Sequence, residues 1–525
     1  MAYEQKSILY KLKPISDRLP AIKRPEGHVH FRTKIMWVIL MLVLYFIMTN
    51  IYLYGLDQSN ILDIFGPYRT ILAGSQGSLM HLGIGPIVTA SIIMQLFVGA
   101  KIIKLDLTDD QDKSVYQSTQ KLLVIVMIII ESVPQVFGYL TPSPSLVSGL
   151  DGVVGSTGLI SGGTLAAFII VLQLCIGSYL VFLMDEVISK WGIGSGISLF
   201  IAAGVAEAIF TGTLNWNSVN GGDLSLSNPP AGTIPKTFYY IFNMSSAQMA
   251  SGGYESILLQ PPNPMIALIG TIIIFLFVAY IESSRIELPL AHGAARGARG
   301  RYPIKLLYAS NIPVILMSAL LANFSIVSLL LYTNPTLEGI PLIGHNDWIG
   351  MYPDGTTTAE GGLAWYLSTP NGLSGWLLPI LDPAQYGSYA YGHTPLQVIA
   401  KVIIFFGAMV FGSILFAKFW IMTTNMGPES VARQIESSGM QIPGFRRDPR
   451  VLKRVLERYI PVVTVLSGAI VGALAAGADL IGTVGNASGT GVLLAVGILI
   501  HFYEAMGREQ MMEMHPMLRG FFGGE

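Results

Sequence analysis

A chain of 525 residues with 52% hydrophobic and only 12% charged positions, and a mean hydropathy of +0.56, falls outside the soluble globular class, in which roughly 25% of residues are charged. The net charge of −1 hides a strong asymmetry between loops, so overall charge says nothing about partners. The one cysteine, Cys175, sits in an apolar run, which excludes an internal disulfide and reads as an inert packed thiol.

The first thirty or so residues are basic and mixed and lack the short apolar core of a cleavable signal, so the first long apolar run is expected to remain as an anchor. Within them Ile8, Leu9, Leu12, Ile15 and Leu19 recur near helical spacing among Lys6, Lys11, Lys13 and Arg18. This predicts a helix that lies in the membrane interface or packs against a loop, weakened by Pro14. Runs long enough to cross about 30 Å of hydrocarbon follow at 35–54, 79–99, 122–140, 164–184, 197–214, 264–281, 309–331, 396–423, 460–476 and 489–503.

The segment 60–99 is too long for one span and is broken by Gly74, Gly77, Gly83, Gly85 and Pro86. Helix breakers at membrane depth strand backbone polar groups, which is tolerated only where they are buried in protein or line a watery cavity. A pathway is therefore expected here. Alternate assignment of the loops gathers almost all Lys and Arg on the side of the N-terminus, leaving Arg69 and Lys236 opposite and no Lys or Arg between Tyr332 and Thr394. By the positive-inside rule both termini are cytoplasmic.

Two of the cytoplasmic loops are unusually basic. One runs from Arg285 through Arg296, Arg299 and Arg301 to Lys305; the other carries Arg446, Arg447, Arg450, Lys453, Arg454 and Arg458. Arginines on loops suit phosphate-rich partners such as RNA, through bidentate contacts. From charge alone, topology determination with anionic lipid contact is the favoured account. Within the spans ionisable residues are scarce. Glu131 and Glu207 lie inside runs, Asn323 is the main polar residue of the seventh, and Glu282, Lys401 and Lys418 sit near ends where long side chains snorkel. Glu131 reads as a helix-packing contact before it reads as a proton relay.

No His-Glu-x-x-His, Walker-type or Gly-x-Ser-x-Gly pattern occurs, so neither an intramembrane enzyme nor nucleotide-driven transport has a basis in these residues. No cofactor or metal is expected. A secondary solute transporter with discontinuous helices shares the broken-helix logic and stays as the alternative; it requires a compact midplane site with charged contacts.

Three long words then carry a resemblance. Leu82-Gly-Ile-Gly-Pro-Ile-Val-Thr-Ala-Ser-Ile-Ile-Met-Gln-Leu96, Asp185-Glu-Val-Ile-Ser-Lys-Trp-Gly-Ile-Gly-Ser-Gly-Ile-Ser-Leu-Phe-Ile201 and Tyr302-Pro-Ile-Lys-Leu-Leu-Tyr-Ala-Ser-Asn-Ile-Pro-Val-Ile-Leu316 resemble the SecY family in its archaeal-type wording. Pro-Leu-Ala-His-Gly at 289–293 and Gly-Thr-Gly-Val-Leu-Leu at 489–494 follow in order. The resemblance runs nearly end to end. It implies an all-α polytopic membrane protein in which ten transmembrane helices form two inverted, pseudo-symmetric five-helix halves around a central hourglass pore. The chain then divides into an amphipathic N-terminal segment (1–34), an N-terminal half (35–215) with a plug at about 60–74, an external loop (216–263), a C-terminal half (264–505) with basic loops at 284–307 and 424–459, and a tail (506–525).

Carried onto matching positions, the resemblance implies a pore ring of Ile84, Val88, Ile197, Ile201, Ile315 and Leu494. The first two pairs are spaced i, i+4, which puts each pair on one helix face; without the motif match, ordinary packing explains them. A plug helix is implied over Ile61, Leu62, Ile64, Phe65, Tyr68, Ile71 and Leu72, where an interfacial helix is the plain reading. Thr89, Glu131 and Asn323 match a lateral gate between the second and third spans and the seventh and eighth. Arg296, Arg299, Arg301, Lys305 and Arg446 match ribosome contacts.

The implied function is the passive conduit subunit of a protein translocation channel, multi-pass in the cell membrane. It is expected to partner SecE/gamma-type and beta-type small membrane subunits, the translating ribosome, signal sequences and nascent polypeptides, membrane lipid and the signal recognition particle receptor.

Overall fold

Each apolar run becomes a helix, and local chemistry marks where two of them start. In order they are α1 (Phe31–Thr49), α2 (Gly85–Gly99), α3 (Asp110–Gly138), α4 (Gly162–Trp191), α5 (Gly196–Leu214), α6 (Met265–Ser283), α7 (Ile312–Thr333), α8 (Pro395–Thr423), α9 (Pro449–Ile481) and α10 (Gly489–Met514). The computed structural model describes residues 8–514 apart from 12, 17, 21, 58–68, 100–101, 104, 106–108, 139, 155–160, 220, 293–298, 306–310, 334–344, 354–355, 357, 371, 425, 438–439, 442–448 and 486. Ser161 caps α4 by accepting from the Thr164 amide. Thr394 and Gln397 form a capping box ahead of Pro395 at α8, so both helices begin with their first free amides satisfied.

Among the described residues, nine helices are long and apolar enough to cross a membrane, and α2 is a shorter apolar helix of 15 residues. The expected second span, 79–99, is helical only from Gly85; residues 79–84 are turns, with Gly83 at φ +54°. In the other direction α3 begins at Asp110, α9 at Pro449, and α10 continues to Met514. Hydropathy marks only the apolar part of such helices, so their polar extensions escape it. As a result Arg450, Lys453, Arg454 and Arg458, read above as loop, ride on a helix.

The helices pack in two groups that meet along two seams. On one side α2 packs against α7 and α8; on the other α5 and α1 pack against α10. The second seam is close because it is built of small residues. A Cβ on Gly212 would lie 2.4 Å from Gly485, itself at φ +69°. Above it, Asn263 accepts from the Gly485 amide at 2.7 Å and donates to Ala231 O at 2.7 Å. Lys236 is 1% exposed and donates to Gln260 O at 2.7 Å and Pro262 O at 3.0 Å. Burial pulls its ammonium pKa down to about 8. It is a structural clamp on the connection between the two helix groups.

Outside the helices, Arg285–His292 (β1) and Arg299–Lys305 (β2) pair antiparallel with Arg285 opposite Lys305, and Met440–Gln441 (β3) adds to β1. This small sheet joins the two basic loops and is the one addition to an otherwise helical fold among the described residues. The expected N-terminal amphipathic helix is instead a 3₁₀ turn (Ile8–Lys11) and one helical turn (Lys13–Ser16). Tyr10 hydrogen-bonds Asp112, and Ser16 donates to Ser118 O at 3.0 Å. Packing on α3 is thus the outcome, with Pro14 limiting helix length.

The irregular segment that follows is tied across the molecule. The Ile22 amide donates to Glu186 at 2.9 Å, and Lys190 donates to Ile22 O at 2.6 Å. Lys34 then pairs with Glu509 of α10 at 2.7 Å.

Candidate constriction and lateral seam

Ile84, Val88, Ile201, Ile315 and Leu494, all at most 8% exposed, belong to one apolar cluster that runs through most of the helices, and Ile197 packs against it. Five elements contribute: the turn before α2, then α2, α5, α7 and α10. The i, i+4 expectation for Ile84 and Val88 is met by the Val88 amide donating to Ile84 O at 3.0 Å, although Ile84 precedes the helix proper. None of the six is charged, and branched aliphatic side chains offer an ion nothing to bind.

Against this cluster sits the end of the broken segment. Ile61, Leu62, Ile64, Phe65 and Tyr68 lie outside the described residues. Ile71 and Leu72 are 2% and 6% exposed, but residues 69–73 are turns and not the helix expected as far as Leu72. Ala73 at φ +50° ends any helical path there, because a left-handed residue cannot continue a right-handed helix. Tyr45 of α1 donates to Ala73 O at 3.4 Å, and Gly491 of α10 brings its backbone close to Thr70. Residues 70–73 therefore fill space between the two groups.

Their link to the cluster is direct. The Ile84 amide donates to Leu72 O at 2.8 Å. Gly83 makes the approach possible: a Cβ there would lie 2.1 Å from that carbonyl. Thr70, Ala73 and Gly83 belong to the site, and sequence reasoning passed over the first two; small and polar residues next to a glycine-rich break were the available sign.

The seam between α2 and α7 is closed by a polar contact, Asn323 Nδ2 donating to Thr89 Oγ1 at 2.9 Å. Thr89 in turn donates to Gly85 O at 2.9 Å. Glu131 of α3 adjoins the same hydroxyl, and its Oε2 lies 3.1 Å from where a Cβ on Gly85 would be. Its Oε1 is buried without a hydrogen-bond partner. The structure thus brings all three proposed gate residues to one place, and the packing reading of Glu131 gains a named neighbour.

Two residues expected to snorkel do not. Lys401 places its ammonium 4.6 Å above the Trp365 ring, and the Glu282 side chain is 1% exposed, 3.5 Å from His501. Lys453 and Arg433 of the second basic region are occupied by Glu429, at 3.1 and 2.9 Å; these contacts, Lys453 first, hold the Glu429 carboxyl below its ordinary range. Arg299, Arg301 and Lys305 fall on β2, whereas Arg296 and Arg446 lie outside the described residues.

The fold defines a polytopic helical membrane protein whose two helix groups share an apolar cluster beside a hydrogen-bonded seam. A family model described as SecY matches residues 78–503, and one described as the plug domain of Sec61p matches residues 43–77. The chain belongs to the SecY family. It is 45% identical to the protein translocase subunit SecY of Archaeoglobus fulgidus, covering 99% of both chains. It is 43% identical to that of Haloferax volcanii, covering 98% of this chain and 99% of the relative.

A solved structure described as that of a protein conducting channel superposes with a TM-score of 0.73 at 38% identity, covering 96% of this chain and 98% of the other. Sec61 in the canine ribosome-channel complex from the endoplasmic reticulum gives 0.70 at the same identity and coverage. The solute-transporter alternative finds no support among these relatives.

Proposed function

We propose that this chain is the pore-forming subunit of a protein translocation channel, a passive conduit without catalytic activity that passes secretory polypeptides across the membrane and releases apolar segments sideways into lipid. The observation that carries the reading is that these uncharged branched side chains share one apolar cluster with Ile71, Leu72 and Ala73, since a ring built of them yields to an extended polypeptide without binding any sequence strongly. Ile84, Val88, Ile197, Ile201, Ile315 and Leu494 form the ring, and the segment from Ile61 to Leu72 is the plug. Thr89, Glu131 and Asn323 are the lateral gate.

The halves are 35–215 and 264–505, inverted relative to each other, with ten spans if α2 is counted with the turns that precede it. The termini and basic loops face the cytoplasm, and the protein resides in the cell membrane with SecE/gamma-type and beta-type subunits. A photo-reactive probe at Ile84 or Ile197 is expected to crosslink a stalled secretory chain of any sequence. If the stalled chain gives no adduct at either position, the conduit reading is lost.

The sheet formed by the two basic loops gives them one shared surface, which supports a docking role toward the translating ribosome; the signal recognition particle receptor would use the same face. Reversing Arg296, Arg299, Arg301, Lys305 and Arg446 to glutamate is expected to lower ribosome affinity at least about tenfold at low salt and to flatten its salt dependence, because each lost phosphate contact removes roughly 0.7 to 0.9 from the log–log slope. Co-sedimentation across a salt series measures both. An unchanged slope would leave only the lipid-contact role for these residues.

A further inference from the structure

Between α7 and α8 the chain makes a compact wedge, residues 345–353 and 358–368, that holds no lysine or arginine. Its backbone satisfies itself. Met351 and Glu360 donate to Gly361 O and Met351 O at 3.1 and 2.8 Å, and Leu363 and Ala364 donate to Trp348 O and Ile349 O at 2.8 Å each. Irregular backbone that is internally paired or packed on protein is the kind that tolerates membrane depth.

The wedge lies below the helix ends. Gly350 is so close to Ser328 of α7 that a Cβ on it would be 2.3 Å from that hydroxyl. Ser328 is about 7 Å short of the end of α7 at Thr333, at 1.5 Å per residue. With 22 residues, α7 is about 33 Å long, close to the roughly 30 Å of a hydrocarbon core. Gly350 therefore sits inside the core boundary. On the α8 side Trp365, 2% exposed, is held between Lys401 and the His393 ring, 3.9 Å away.

Three large apolar side chains on this wedge remain uncovered: Trp348 at 86%, Leu363 at 47% and Met351 at 43% exposed. On the helices that flank the wedge, Val327 of α7 and Ile399 of α8 are also exposed, at 52% and 41%. We infer that the wedge is a re-entrant anchor that inserts Trp348, Met351 and Leu363 into the headgroup–acyl boundary of the outer lipid leaflet. The chemistry fits that level: an indole prefers the boundary, while exposed Asp347 beside it keeps the wedge from sinking deeper. A brace embedded in this way fixes α7 and α8 to each other and to the leaflet that borders the lateral seam.

The test is lipid depth. Spin labels at Trp348→Cys and Leu363→Cys, each in a Cys175→Ser background, would be placed in the purified channel reconstituted into phosphatidylcholine–phosphatidylglycerol vesicles. Asp223→Cys on the other external loop serves as the aqueous reference. Collisions with oxygen over those with a water-soluble nickel chelate are expected to rise at least about fivefold over the reference at both positions, as an interfacial site requires. A ratio equal to the reference would overturn the proposal. So would shielding from both reagents, which would mean that a protein surface or a second copy covers the patch.

Discussion

Replacing Ile84, Val88 and Ile197 together by asparagine is expected to make the resting channel conduct ions. Ile84 is fully buried and Val88 is 5% exposed, so branched carbons at the start of α2 would keep the proposed constriction dry. Amide groups in their place hold water, and a wetted ring no longer imposes the dewetting barrier. A rise of at least about tenfold in resting current corresponds to only ~1.4 kcal/mol of lost barrier. Loss of packing is a competing effect, since large-to-small changes in cores cost several kcal/mol. The valine variants at Ile84 and Ile197 serve as the control, because they perturb packing without adding polarity and should stay closed. Planar-bilayer recording of the purified channel decides the matter. Equal resting currents in the asparagine and valine variants would remove the seal from these residues.

Substituting Asn323 by leucine should raise the hydrophobicity a signal sequence needs in order to enter. Two opposed effects follow from the change. The lost bond to Thr89 favours opening by only about 0.6 kcal/mol, the average for such contacts in membranes. Thr89 also keeps its own acceptor at Gly85, so no buried hydroxyl is stranded. Opening toward a watery pore, however, now exposes the part of the leucine that the closed seam covers; position 323 is half-buried, so the cost falls below the roughly 1.5–3 kcal/mol of a fully buried side chain. The closed state gains on the order of 1 kcal/mol, and insertion of marginal signals should fall roughly fivefold. A graded series of leucine-containing signals in an insertion assay reads the threshold. A threshold that is unmoved or lowered would mean the seam does not gate entry.

The residues that could be read from sequence share one property: their role depends on near neighbours in the chain. Ile84 and Val88 announce a face by their spacing, and Asn323 and Thr89 stand out as polar residues in apolar runs, although their pairing does not. Lys401 was expected to reach water because it lies near a helix start. What covers it is Trp365, from a loop whose fold depends on pairs such as Met351 with Gly361. Such coverage is a tertiary fact with no local trace. Glu282 and His501 follow the same rule, being joined only when α6 packs on α10.

The extents of α3 and α9 were underestimated because hydropathy reports lipid-facing length and not helix length. The hairpin of β1 and β2 went unseen because Arg285 to Lys305 was read for its charge alone. At the broken segment the glycines correctly marked a bend. The shape of that bend depends on Gly83 yielding to Leu72 O, a contact across eleven residues that composition does not encode.

That contact makes the segment before α2 and the ring residue Ile84 thermodynamic partners. Linkage between two such sites is reciprocal: whatever factor a chain lodged against Ile84 applies to the release of residues 70–73, their release applies to the lodging of that chain. Anything that holds residues 70–73 away from Ile84 would then favour the lodged chain by the same factor, and the coupling passes through one backbone hydrogen bond without a relay through the helices.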